Sequence, residues 1–167
     1  MTPHRLLQYA IRPALAELAQ RGIPASAAAE RFMLAIALQE SGLRHRRQVL
    51  AGAGEVGPAA SFWQFEKGGG CLGVLRHPLA SPHMLAVCSE FNVEPTAAGL
   101  WEAMRYNDLV AAVAARLLIY TLPDALPKTA AEGWEQYLDA WRPGKPHPST
   151  WSANWSLATR IVDAEDD

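Results

Sequence analysis

Residues 32–38 run Phe, Met, Leu, Ala, Ile, Ala and Leu without a polar interruption. Ser26, ahead of the run, is a good N-cap, and Gly42, past its end, can take the left-handed backbone that stops a helix. A helix apolar on every side has no face to give to water, so this one is expected at the buried centre of the domain. It closes on Glu40-Ser41, which brings a carboxylate to the edge of the core. Ile36, Ala37 and Met33 lie one and two turns back on the same face as the glutamate. Apolar neighbours and the negative end of the helix dipole both disfavour the ionised form, so the Glu40 pKa is expected to rise. A carboxyl that keeps its proton near neutral pH is what a general acid requires. The alternative is that Glu40 turns out to solvent at a fraying helix end.

The rest of the chain is also patterned for helices. Leu7, Ile11, Leu15 and Leu18 repeat at helical spacing, with a stop at Arg21-Gly22 and Pro24. Ser81-Pro82 reads as an N-cap and first-turn proline for a helix through Phe91. Thr96 opens a short helix to Met104, and Asn107-Asp108 caps a strong one ending near Tyr120. Glu132–Trp141 forms another, and Ser149-Thr150 opens the last. Residues 43–61 are polar and Gly-rich, suited to an irregular segment, short strands or a small hairpin. Gly68-Gly69-Gly70 lacks the Lys-Ser/Thr of a phosphate-binding loop and reads as a hinge or tight turn. The expected fold is mainly α, one domain over residues 1–167, with a small irregular or β insertion after the central helix.

Composition narrows the function classes. The 167 residues suit one core, and a net charge of −2 gives no support to a nucleic-acid binder. No apolar run is long enough to span a bilayer, and the N-terminus lacks the apolar centre of a secretory signal. The chain is therefore expected to be cytoplasmic as synthesised, without membrane insertion. Cys71 and Cys88 are too few for a disulfide scaffold; they read as small buried residues, with a single bridge as the alternative. His4, His45, His77, His83 and His147 show no metal-ligand spacing, so neither metal nor cofactor is expected.

A buried helix ending in Glu40-Ser41, then a Gly-containing segment from Gly57 to Phe62-Trp63-Gln64, resembles the lysozyme-like superfamily. The closest parallel is its lytic transglycosylase and goose-type lysozyme branch, over roughly residues 30–66. The chain is also similar to small phage or prophage proteins with Trp63-Gln64-Phe65-Glu66 and Trp141-Arg142-Pro143-Gly144-Lys145-Pro146 segments. Two departures stand out. Phe62-Trp63 replaces the usual Leu-Met, and the Tyr-Asn-Ala-Gly element near the family's C-terminus is missing. The stretch from Trp134 to Gly144 occupies a comparable place, and Tyr137 or Trp141 is the candidate aromatic partner of the glutamate.

The resemblance implies that Glu40 protonates the glycosidic oxygen of the MurNAc–GlcNAc bond of peptidoglycan. A hydrolase needs a second carboxylate, at about 5–5.5 Å for retention or ~6.5–9.5 Å for inversion. Glu55 and Glu66 are the candidates, Glu66 having pairing with Lys67 as its alternative. A transglycosylase needs none, because the substrate's 6-hydroxyl attacks and one glutamate acts as acid and then base. Ser41 and Gln64 are candidate substrate contacts, and Trp63, Trp141 and Trp151 are candidate surfaces for sugar rings. Arg44, Arg46 and Arg47 on one side, with Arg142 and Lys145 opposite, form a candidate basic rim for stem-peptide carboxylates. The partner expected is the glycan strand, reached in the periplasm or cell wall through a holin or aboard a virion. The competing expectation is an inactive lysozyme-like phage structural or assembly protein.

Overall fold

A computed structural model describes residues 1–47, 52 and 57–166. Its helices, in chain order, are α1 (Pro3–Leu6), α2 (Arg12–Ala19), α3 (Ala27–Ser41), α4 (Leu72–Arg76) and α5 (Ser81–Glu90), followed by α6 (Ala97–Met104), α7 (Asp108–Tyr120), α8 (Ala130–Trp141) and α9 (Pro148–Asp166). A π turn over Leu7–Ile11 joins α1 to α2, and another over Lys67–Cys71 leads into α4. The first lies just ahead of Pro13, whose missing N–H and bulky ring interrupt the regular hydrogen-bond ladder. The chain is mainly α. Among the described residues β pairing is limited to isolated bridges joining Ala60 to Arg47 and to Phe65.

Helix α3 is the axis of the fold. The Ser26 hydroxyl accepts from the Ala29 N–H at its start, and Gly42, at φ 55°, closes its end with an N–H bond to the Leu38 carbonyl. Every residue from Phe32 to Ala37 is fully buried. The helix α9 covers α3 most extensively, and the first π turn and α7 complete the enclosure. One continuous apolar core reaches from Leu6 to Val162, so the helices share a single interior.

The segment after α3 folds back onto it. Trp63 is wholly buried and donates its indole N–H to the Met33 carbonyl at 2.9 Å. The Ser41 hydroxyl donates toward the Phe62 carbonyl at 2.8 Å and the Ala37 carbonyl at 2.9 Å, and accepts from the Leu43 N–H at 3.2 Å. Ala60 and Phe65 exchange two backbone bonds around a tight turn in which Ser61 (φ 67°) and Gln64 (φ 52°) are left-handed. Non-glycine residues in that region cost on the order of 1–3 kcal/mol each, so burial of Phe62, Trp63 and Phe65 must hold the turn in place.

Some boundaries differ from expectation. Ser81 is the first helical residue rather than the cap, with Ala80 preceding it. The last helix opens at Pro148, and α8 opens at Ala130 behind a capping box between Thr129 and Glu132. The glycine run forms a π turn that leads into α4 and is kinked at Gly69 (φ −98°, ψ −108°), in keeping with the expected tight turn. Gly70 is required there, since a Cβ would stand 2.6 Å from the Phe65 ring. Cys71 and Cys88 are both buried and free.

Helices α8 and α9 meet at Gly133, where a Cβ would lie 2.5 Å from Trp155 and 3.1 Å from Trp151. Gly133→Ala should therefore destabilise the protein by about 1–3 kcal/mol through overpacking, although alanine is the better helix former. Urea unfolding monitored by circular dichroism checks the sign.

Candidate functional site

Glu40 opens onto a cleft of about 1520 Å³. Its walls come from the end of α3, the turn at Gln64–Glu66, the second π turn with α4, the end of α7, and α8 with the loop that follows it. The glutamate is half-buried, and its carboxyl is held at about pKa 7 against an ordinary 4.5. Burial is the main cause. The Tyr137 hydroxyl opposes it, donating to Glu40 Oε1 at 2.6 Å and favouring the ionised form. Among the described residues Oε2 has no hydrogen-bond donor, so it is the oxygen left to carry the exchangeable proton. Burial, and after it the neighbouring Glu40 carboxylate, raise the Tyr137 phenol well above its usual range, which keeps it a donor.

Tyr137 is fixed by its neighbours. Its ring is stacked on Trp151 (centroids 5.3 Å apart, planes 15° apart) and, at 6.4 Å and 27°, on Trp141. Trp151 in turn donates to the Ala130 carbonyl at 2.7 Å, and Trp141 donates to the Trp63 carbonyl at 2.8 Å. Each indole plane is thus pinned by its own N–H, and packing against the two indoles aims the phenol at Glu40. Gln39 ties the end of α3 to the opposite wall. It donates to the His147 carbonyl at 3.0 Å and accepts from Thr150 at 3.0 Å and Asn154 at 2.8 Å.

The candidates named from sequence divide into several groups. Glu40, Gln64, Glu66, Tyr137, Trp141, Arg142 and Lys145 all line the cleft. Gln64 is already engaged through its amide nitrogen, which donates to the Ser61 carbonyl at 2.7 Å. Glu66 is exposed and forms no ion pair with Lys67, whose ammonium sits 4.5 Å over the Trp101 ring. Ser41 is consumed in holding the Phe62 carbonyl. Trp63 is no sugar platform: it is a core residue with no exposed surface, and Trp151 is buried behind Tyr137. The expected rim of Arg44, Arg46 and Arg47 is absent from the cleft wall, because these side chains line a separate, smaller pocket. Glu55 lies outside the described residues.

Sequence reasoning passed over Arg76, His77, Asp139 and His147, which also line the cleft. Arg76 and His77 close a short helix whose position depends on the π turn before it, and no local pattern marks them. Among the described residues no cluster of three His, Cys, Asp or Glu side chains is arranged to hold a metal ion, and no helix is long and apolar enough to cross a membrane. No protein-family model matches the chain, and neither the curated proteins nor the solved structures give a match.

Two outcomes follow from the Glu40–Tyr137 contact. Tyr137→Phe removes a hydrogen bond to a charged acceptor, worth about 1.5–3 kcal/mol, and should lift the Glu40 pKa by about 1–2 units above 7. A carbon-detected NMR titration of the side-chain carboxyl reads this directly. The folded state keeps the Glu40 proton up to about pH 7, whereas the unfolded chain releases it near 4.5. The associated stability is fully present below 4.5 and is lost as pH rises through 7. Glu40→Gln should match the wild type at pH 4 and exceed it at pH 8–9 by on the order of 1–2 kcal/mol, a half-buried group being partly screened. Thermal melts across that pH range provide the comparison.

Proposed function

We propose that this protein is a lysozyme-like peptidoglycan glycosidase of phage or prophage origin, with Glu40 as general acid and then base on the MurNAc–GlcNAc bond. The observation that carries the reading is the Glu40 carboxyl itself. It sits at the end of a buried helix, opens onto a long cleft, and is poised near pH 7 with one oxygen fixed by Tyr137. A catalytic acid works best when its pKa lies near the operating pH.

In this reading the glycan lies along the cleft with its glycosidic oxygen at Oε2 of Glu40. The proton passes to that oxygen as the bond to the sugar C1 breaks, and the new carboxylate is stabilised by the Tyr137 hydroxyl. The sugar's own 6-hydroxyl then closes on C1, and its proton returns to Glu40. The products are a free 4-hydroxyl and a 1,6-anhydro ring, with no second carboxylate required. Hydrolysis is the variant in which water replaces the 6-hydroxyl, and the acidic residues available in the cleft for it are Glu66 and Asp139. Trp141 offers a half-exposed ring edge for sugar contact, and Arg142 and Lys145 supply positive charge toward stem-peptide carboxylates.

One observation favours the second reading, a catalytically silent lysozyme-like component of a virion. The Ser41 hydroxyl and the Gln64 amide nitrogen, both suited to sugar contacts, are bonded within the protein. Purified sacculi separate the two readings. The enzyme should release muropeptides, with a rate that falls as pH rises through about 7. Glu40→Gln should lower the rate by at least about 10²-fold, the usual contribution of a positioned acid. Mass spectrometry of the products identifies an anhydro end for the transglycosylase route. An undiminished rate in Glu40→Gln would overturn the mechanism, and a silent wild type that co-purifies with phage particles would establish the structural role.

A further inference from the structure

The second pocket, of about 300 Å³, is lined by Arg44, Arg46, Arg47, Arg105 and Tyr106, and no residue lines both it and the cleft. We propose that this pocket is a binding site for a phosphate monoester. Four guanidinium groups in so small a space repel one another, and the carboxylates paired with them are only partly sufficient. Arg46 is forked onto Asp108 at 2.9 and 2.7 Å, and Arg105 donates from Nη1 alone to both Glu102 oxygens, at 2.6 and 2.7 Å. Among the described residues no carboxylate pairs with Arg44 or Arg47. Arg47 rests instead on the Trp101 ring at 5.7 Å, a ring that also carries Arg105 at 5.5 Å and Lys67 at 4.5 Å.

Desolvation sharpens the imbalance. The Nε atoms of Arg47 and Arg105 are shielded from solvent and have no acceptor. Positive charge has therefore been drawn together and partly stripped of water without full compensation, an arrangement that a bound anion would relieve. The residual charge points to the kind of anion. Among the described residues two of the four lining arginines have no carboxylate partner, which suits a ligand of charge near −2. A phosphate monoester carries about −1.5 to −2 at pH 7 and presents three acceptor oxygens, enough to engage several forks at once. A carboxylate brings a single charge and is satisfied by one fork. Tyr106 is 74% exposed at the pocket edge with Arg105 5.0 Å over its ring, and offers a flat surface to whatever bears the phosphate.

The test is an NMR titration of ¹⁵N-labelled full-length protein at constant ionic strength, following the arginine Nε–Hε signals. Inorganic phosphate and glucose 1-phosphate are added in separate arms. Saturable shifts are expected at the pocket arginines, Arg44, Arg47 and Arg105 among them, and none at Arg142. Arg44→Gln should weaken binding by about 10-fold or more, the loss of one charge-assisted fork. Arg44 is exposed, so its replacement leaves the core intact. Arg105→Lys keeps the charge and loses the fork, and should also weaken binding. Arg142→Gln, in the cleft, should leave binding unchanged. Equal affinity in both arms means that the phosphoryl group alone is read, whereas tighter glucose 1-phosphate binding means that the Tyr106 face contributes. Linear, unsaturable shifts, or an equal loss in Arg142→Gln, overturn the proposal.

Discussion

The enclosure of α3 is the constraint on which the other elements depend. A helix with apolar side chains on all sides cannot rest on one neighbour, so the chain must supply cover around its full circumference. Helix α9 provides the largest part, the first π turn and α7 provide more, and the segment that folds back meets α3 through Phe62 at Ser41 and Trp63 at Met33. Burying side chains of this size is worth roughly 1.5–3 kcal/mol each, enough to hold a turn containing two left-handed non-glycine residues. The strained turn and the buried helix are parts of one arrangement: the hydroxyl of Ser41, the last residue of α3, grips the Phe62 carbonyl inside that turn.

That arrangement determines the environment of Glu40. Its position at the rim of the core desolvates it, and Tyr137 supplies a single fixed donor. The opposing effects leave the proton poised near neutrality instead of locked on or lost. Tyr137 performs this because the stacked Trp151 and Trp141 rings hold its own ring in place. Four of the six tryptophans (Trp134, Trp141, Trp151 and Trp155) thus belong to the aromatic wall behind and beside one carboxyl, and Trp63 braces the helix that carries it.

Much of this was legible in the amino-acid sequence. The caps Ser26, Thr96 and Asn107 and the terminator Gly42 mark helix ends by local hydrogen bonding and backbone freedom, which are properties of a few adjacent residues. The raised pKa of Glu40 followed from its apolar helical face. The roles of Trp63 and of the arginines were not legible. Whether an indole faces a cleft or a core depends on which helix passes over it, and Trp63 meets Met33, thirty residues away. Likewise Arg44, Arg46 and Arg47 follow the glutamate in sequence, yet they line a separate pocket, with Arg47 over Trp101 on α6 and Arg46 on Asp108 of α7.

The amino-acid sequence by itself determined a mainly helical chain, a buried central helix and a carboxylate at its end, because helix periodicity, capping and burial are short-range matters. Only the tertiary structure decided which aromatic side chain meets that carboxylate. Tyr137 and Trp141 lie one helical turn apart in α8, and either was a fair candidate from spacing. The packing of α8 between α9 and the Trp63 turn points the phenol at Glu40 and the Trp141 indole at a backbone carbonyl. That choice is a matter of angles between distant helices, which no local pattern encodes.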